Sequence, residues 1–185
     1  MNANTRWWLR SLLVGAGVGL AVGLIVGGTL GRVFMRLLTL AREDSRGFET
    51  AMGAIVGDFT AGGTVAIYVV GAFFGVLVGV GYVLVRRFLD RRWRTPLFTL
   101  AVSGLLLGQI LRDNRNDFHI VPVTLSVLLV LGSVALTAAP VPILVERFAH
   151  DRERSPGATS HAVVALGLAG IAVYAGFAVA SAYAV

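Results

Sequence analysis

Residues 11–31 read SLLVGAGVGLAVGLIVGGTLG, and this stretch decides the fold. It contains no Asp, Glu, Lys or Arg, and its length falls within the roughly 17–25 apolar residues that a helix needs to cross the hydrocarbon core of a bilayer. Glycine recurs at every fourth position, which places those glycines on one helix face. The stretch therefore predicts a transmembrane helix with a face that lacks side chains.

Four further runs, 59–85, 95–111, 118–145 and 155–185, also lack charged residues. Only 14% of the chain is charged, well below the roughly 25% of soluble domains, so no part is left over for a separate soluble domain. We predict an all-α polytopic membrane bundle, one integral membrane domain over 1–185, with transmembrane helices at about 8–31, 63–85, 96–111, 120–144 and 162–184. A cleaved signal peptide is disfavoured because no small-x-small site follows the first run.

The arginines predict the orientation, because loops rich in Lys and Arg stay inside. With the N-terminus inside and the C-terminus outside, ten of the sixteen basic residues lie inside and six outside. Trp7, Trp8 and Trp93 then share the inner interface, where indole rings prefer to lie. In the alternative, 95–111 is re-entrant, and Arg112, Arg115 and the C-terminus are all inside.

Glycine spacing is the most specific pattern in the chain. Lipid gives helices no hydrophobic reason to associate, so bare faces that let backbones approach closely are typical of packed transmembrane helices. We expect these faces to pack within the chain, with homo-oligomers or a larger membrane complex as the compatible second interpretation. The predicted packing residues are Gly15, Gly19, Gly23, Gly27 and Gly31, then Gly71, Gly75 and Gly79, then Gly104 and Gly108.

The sequence shows no catalytic pattern. No ionisable residue lies centrally in a predicted span, although proton relays and carboxylate proteases need such groups. There is no Cys, and the predicted topology separates His119 from His150 and His161, so we expect no metal and no cofactor. Gln109 is the most polar residue within a span. Ser103 and Thr137 are among the hydroxyls expected to bond to their own helix backbone.

Two clusters of arginine are candidate anion sites. On the outer side, Arg32, Arg36, Asp58, Arg112 and Arg115 form a possible clamp for an anion or lipid headgroup, although mutual ion pairs and headgroup contacts that close the outer surface are the simpler explanation. On the inner side, five arginines are positioned to bind anionic lipid, although their role in setting topology is sufficient to explain them. These are Arg86, Arg87, Arg91, Arg92 and Arg94. Nucleic-acid binding is not expected, since the positive charge is split among short loops.

These patterns favour a multi-pass protein of a bacterial plasma (inner) membrane that is not an enzyme. Arginine as the only strong base, with abundant Ala, Gly and Val, indicates a GC-rich genome. The expected function is that of a structural or accessory subunit packed through its Gly-xxx-Gly faces. The alternative is a small transporter or channel for an uncharged or lipid-like solute, which a cavity lined by Gln109 and span hydroxyls would favour; an intramembrane enzyme is a third, weaker interpretation.

Overall fold

The computed structural model describes residues 3–41, 60–113, 123–149 and 158–183. Over these ranges every regular element is helical, and no strand occurs among them. The predicted fold class, an all-α bundle, is confirmed to that extent. Asp58, Arg115, His119 and His150 lie outside the described residues.

The first predicted span is longer than 8–31 and is not a uniform α-helix. Helix α1 (Ala3–Val22) continues through a π-helical turn, Gly23–Gly27, into α2 (Gly28–Ala41). The amide of Gly28 donates to the carbonyl of Gly23, five residues earlier. A π turn of this kind inserts one extra residue into a helix, so every residue after Gly23 is displaced by one position around the helix axis.

The next two helices are joined by a tight, arginine-rich turn. Helix α3 (Ala61–Val85) begins at an N-cap, Thr60, whose hydroxyl accepts from the Gly63 amide at 3.2 Å. A 3₁₀ turn, Arg86–Phe88, ends it, and α4 spans Arg94–Asp113. Helix α4 therefore begins two residues before the predicted start at 96, and Pro96 lies in its first turn, where a missing amide costs no helical hydrogen bond.

The predicted fourth span, 120–144, is two helices that meet at a proline. Helix α5 (Val123–Ala138) gives way to α6 (Pro140–Phe148) across Ala139. Pro140 and Pro142 cannot donate to the preceding helical turn, which is the usual cause of such a break. The last helix, α7, covers Ala158–Tyr183. Because α6 runs past residue 144, it carries Glu146 into the bundle.

Glycine contacts define how the helices lie. Gly15 faces Gly79 and Gly23 faces Gly71, so α1 and α3 are antiparallel. Gly104 faces Ile171 and Gly108 faces Tyr174, so α4 and α7 run in the same direction. The largest buried cluster joins α1, α3, α4 and α6 and consists of Val22, Tyr82, Val83, Leu89, Phe98, Val141, Val145 and Ala149.

Three helical segments are long and apolar enough to cross a membrane: Thr5–Phe34, Ala61–Phe88 and Val123–Phe148. Large apolar side chains cover their outer faces, with Leu13 64% and Val65 63% exposed, so the chain is built as a membrane protein. Helix α4 is an uninterrupted helix of 20 residues, about 30 Å long, without the reversal that a re-entrant segment needs. Its crossing, like that of α7 and the orientation, stays a prediction.

Candidate functional site

The glycines of α1 and α3 bring the two backbones into direct contact. A Cβ on Gly15 would lie 2.7 Å from the carbonyl oxygen of Gly79. A Cβ on Gly19 would overlap the Gly75 carbonyl oxygen, and one on Gly75 or Gly79 would overlap the opposing α1 carbonyl in return. No side chain larger than hydrogen fits at these positions without moving a helix, so the spacing of the two backbones depends on them.

Beyond Gly23 the π turn changes which glycine faces α3. Gly28 is buried against the Tyr68 ring, where an added Cβ would lie 2.7 Å from Cδ1. Gly27, which the every-fourth-residue pattern placed on this face, lies more loosely between α3 and α5: a Cβ there would be 3.5 Å from Cγ2 of Thr137 and 3.7 Å from Cα of Gly71. Gly31 still meets α3 at Ile67. The extra residue of the π turn makes Gly28 the continuation of the face that Gly23 ends.

Helix α4 uses its two glycines against α7. A Cβ on Gly104 would lie 2.8 Å from Cγ2 of Ile171, and one on Gly108 would lie 2.5 Å from Cε1 of Tyr174. At the residue next to Gly108, the Gln109 side-chain oxygen accepts a hydrogen bond from the Tyr174 hydroxyl at 3.2 Å. All ten predicted packing glycines thus lie where another helix of the same chain approaches them.

The predicted outer clamp is only partly described. Arg32 is partly buried and donates through Nη2 to the Thr64 hydroxyl and, at 3.3 Å, to the Thr60 carbonyl. It therefore joins α2 to the first turn of α3, while Arg36 on α2 and Arg112 at the end of α4 are exposed. Asp58, which was expected to orient a guanidinium, and Arg115 lie outside the described residues, so their part in a clamp stays a prediction.

A polar cluster that the sequence did not predict lies at the opposite end of the bundle. Glu146 Oε1 accepts from the Tyr82 hydroxyl at 2.6 Å and from Arg94 Nη1 at 3.3 Å, and it lies 4.0 Å from Arg86 Nη1. The Arg86 and Arg94 side chains are only 3% and 7% exposed, whereas Glu146 is 27% exposed. One carboxylate thus serves two buried guanidinium groups and a buried phenol.

The two arginines are also held by their own surroundings. Arg86 Nη2 donates to the buried Ser11 hydroxyl at 3.3 Å, and the Arg86 guanidinium lies over the Trp7 ring. Arg94 Nε donates to the Leu89 carbonyl at 3.0 Å. The cluster therefore ties α1, α3, α4 and α6 together. Tyr82 and Arg86 are four residues apart, which places them on one helix face. Their spacing does not indicate that Glu146, far away in the sequence, lies opposite them.

The structure divides the five inner arginines into two groups. Arg86 and Arg94 are buried and face Glu146 of the same chain. The sequence alone suggests anionic lipid as the partner of these two arginines. Arg87, Arg91 and Arg92 are exposed. Arg87 lies over the Phe88 ring at 4.5 Å and the Trp8 ring at 5.7 Å. Lipid binding by this segment stays a prediction for the three exposed guanidinium groups.

Cavities lie between the described helices, and two of them adjoin each other. The larger, about 580 Å³, opens between α3 and α4 and reaches α7. We call it the lateral groove; it is lined by apolar residues and glycine, among them Phe74, Gly81, Phe88, Ala101 and Ile171. Its rim is exposed: Leu77 on α3 is 51% exposed and Leu105 on α4 is 46% exposed. In a bilayer this rim faces lipid.

The second cavity, about 230 Å³, lies deeper among α3, α4, α5 and the π turn. We call it the inner cavity. Gln109, Ser133 and Thr137 supply its side-chain polar groups. The Thr137 hydroxyl bonds to the Ser133 carbonyl at 2.8 Å, as expected of a hydroxyl in a span. Ser103 differs: its buried hydroxyl has no hydrogen-bond partner within the described ranges.

The two cavities share four lining residues, Phe74, Val78, Val102 and Leu106. Neither is lined by a member of the Glu146 cluster, so the charged groups and the cavities are separate features of the bundle. In the described part of the chain, no three of His, Cys, Asp and Glu come close enough to hold a metal ion. A comparison with known proteins finds no matching family model, curated protein or solved structure.

Proposed function

We propose that this chain is a structural or accessory subunit of the plasma membrane, crossing it five times with the N-terminus inside and the C-terminus outside. The alternating directions of the helices and the loop arginines support the topology. The contacts of Glu146 support the function: its carboxylate is engaged by Tyr82 and Arg94 and holds helices together. These hydrogen bonds join helices of the same chain, which supports a structural role for the carboxylate.

Site-specific photo-crosslinking identifies the face of the bundle that contacts a partner. Four side chains on four different helices point outward and are at least 60% exposed: Leu13 on α1, Val69 on α3, Leu128 on α5 and Val173 on α7. A photo-crosslinking amino acid is introduced at each position in turn, and the protein is purified in mild detergent after illumination. An accessory subunit gives one stoichiometric protein adduct from one or two adjacent positions.

Equal, lipid-only adducts at all four positions would contradict the accessory proposal. Adducts between copies of this chain would place it instead in a homo-oligomer. Leu13 on α1 and Leu128 on α5 are matched in residue type and in exposure, at 64% and 62%, so each serves as the control for the other. Quantitative mass spectrometry of the unilluminated preparation checks that the partner is present at a comparable molar amount.

A second candidate function is passage of an uncharged or lipid-like solute. The observation that favours it is the inner cavity, which carries Gln109, Ser133 and Thr137 and adjoins a groove that opens towards lipid. A solute with an apolar body and one hydroxyl or amide matches that lining, because mostly apolar sites with a few polar groups are typical of small-molecule pockets.

The test uses adjacent residues of α5 that face different surroundings. Ser133 lines the inner cavity, whereas Gly132 is exposed and an added side chain there meets open space. In proteoliposomes, Ser133→Leu is expected to abolish flux of glycerol or translocation of a fluorescent phospholipid, and Gly132→Leu is expected to preserve it. Flux equal to that of protein-free vesicles for the wild type removes this candidate.

A further inference from the structure

The lateral groove has the dimensions of one lipid chain. Along α3 it extends from Phe74 to Val85, about 17 Å at 1.5 Å per residue. Half of a hydrocarbon core of about 30 Å is one leaflet, so the groove covers the depth that an acyl chain of one leaflet occupies. Gly81 and Gly167 lie in its wall, and a Cβ at either would meet nothing within 4 Å.

Basic side chains lie at the end of the groove where α3 ends. Phe88 and Leu89 line the groove where α3 ends, and the exposed guanidinium of Arg87 lies 4.5 Å from the centroid of the Phe88 ring. Within the described ranges Arg87 makes ring contacts and no ion pair. Arg91 and Arg92 are exposed in the same turn. Arginine suits phosphate because its planar fork donates two parallel hydrogen bonds.

We propose that the lateral groove holds an acyl chain of one anionic glycerophospholipid, whose phosphate is bound by Arg87 at the end of α3. Arg91 and Arg92 add to the positive potential at the same depth. A juxtamembrane arginine contributes about 1 kcal/mol to the attraction of anionic lipid. The groove adds a shape that fits one acyl chain and so keeps one lipid bound. The proposal requires only that α3 lies in a membrane and is independent of any partner protein or transport.

The experiment uses the full-length protein in nanodiscs and phosphatidylglycerol with a diazirine in one acyl chain. After illumination, mass spectrometry is expected to find the label on peptides that contain 74–88 and 97–106. A phosphatidylcholine probe with the same chain is expected to label these peptides about fivefold less. Arg87→Gln is expected to lower the phosphatidylglycerol signal by a similar factor, whereas Arg147→Gln, an exposed arginine at the end of α6, leaves it unchanged.

Variants that fill the groove distinguish a lipid bound in it from the annular lipids that surround the protein. Gly81→Phe is expected to abolish the label, while Gly132→Phe, at an exposed glycine of α5 outside the groove, retains it. Ala101→Phe fills the groove from the α4 side and gives an independent variant should Gly81→Phe fail to fold. Equal labelling by the two probes, or labelling that survives both filled grooves, would overturn the proposal. Neither result bears on the partner adducts that test the accessory function, so the two can fail separately.

Discussion

At the scale of single residues, the charge balance around Glu146 matters most. Two arginines are nearly buried, and the nearest carboxylate carries one negative charge for both. Charges removed from water are tolerated only when they are paired and hydrogen-bonded. Arg86 Nη1 is the least satisfied group, since it is buried and has no hydrogen bond among the described residues. The cluster is therefore most sensitive to loss of its acid.

We expect Glu146→Gln to be the most destabilising conservative change at this end of the bundle. The amide keeps the shape but removes the negative charge that faces the buried Arg86 and Arg94, which is expected to cost about 3 kcal/mol. Arg147→Gln, the exposed neighbour, serves as the control. Unfolding by rising dodecyl sulfate in mixed micelles, followed by circular dichroism, measures both. Similar midpoints for the two variants would mean that Glu146 is not the counter-ion that the geometry indicates.

At the scale of helices, the bare faces determine how closely α1 and α3 approach. An added methyl on Gly19 would overlap the Gly75 carbonyl, whereas one on Gly17 meets nothing within 4 Å. The two glycines lie in the same helix, half a turn apart. Helix propensity favours alanine equally at both positions, so their different surroundings alone separate the effects of substitution.

Gly19→Ala is expected to destabilise the protein by roughly 1–3 kcal/mol, because forced overpacking moves a backbone. Gly17→Ala is expected to be neutral or to stabilise by up to about 1 kcal/mol, the gain of alanine over glycine in a helix. The same unfolding assay compares the pair. Equal losses in both variants would show that α1 and α3 do not pack through this face.

The π turn predicts that a one-residue deletion within it is tolerated, because the turn holds one residue more than an α-helical turn does. Deleting Ile25, which is 63% exposed, places Gly28 four positions after Gly23. The turn then becomes α-helical and keeps Gly28 against Tyr68 and Arg32 beside Thr64. Deleting Leu20, which is 48% exposed in α1, rotates the glycine face by about 100°.

We therefore expect the protein lacking Ile25 to unfold near the wild-type midpoint and the protein lacking Leu20 to lose its cooperative transition. Gel filtration in detergent shows whether each variant remains monodisperse. Loss of folding in both would mean that the π turn itself, and not the face it aligns, is required.

At the scale of the whole molecule, the sequence pattern predicted the positions of the helices better than it predicted the breaks within them and the contacts between them. Uncharged runs indicated where the helices lie, because the demand for apolar length is local, although the first helical stretch continues ten residues beyond the predicted end at 31. The π turn and the Glu146 cluster depend on contacts between distant parts of the chain, which spacing does not encode. Likewise, the every-fourth-residue pattern selects Gly27, and only the packing of α3 shows that Gly28 lies tightly against it.

The five-span topology predicts that Asp90 and Arg112 lie on opposite sides of the membrane. Because the chain contains no Cys, single substitutions Asp90→Cys and Arg112→Cys provide unambiguous labels. In intact cells a membrane-impermeant maleimide is expected to modify the cysteine at 112 and not the one at 90; permeabilised cells, in which both react, are the control. Labelling of both or neither in intact cells would contradict the predicted orientation of α4.

The parallel course of α4 and α7 sets an order of assembly. Helices α1 and α3 are antiparallel and both lie in the first half of the chain, so their shared surface can close soon after α3 has been synthesised. Helix α4 is different: the partner of Gly104 and Gly108 is α7, which is made after α5 and α6. Until α7 arrives, that surface of α4 is open to lipid, and a chain stalled or truncated before residue 158 would present it to quality-control proteases of the membrane.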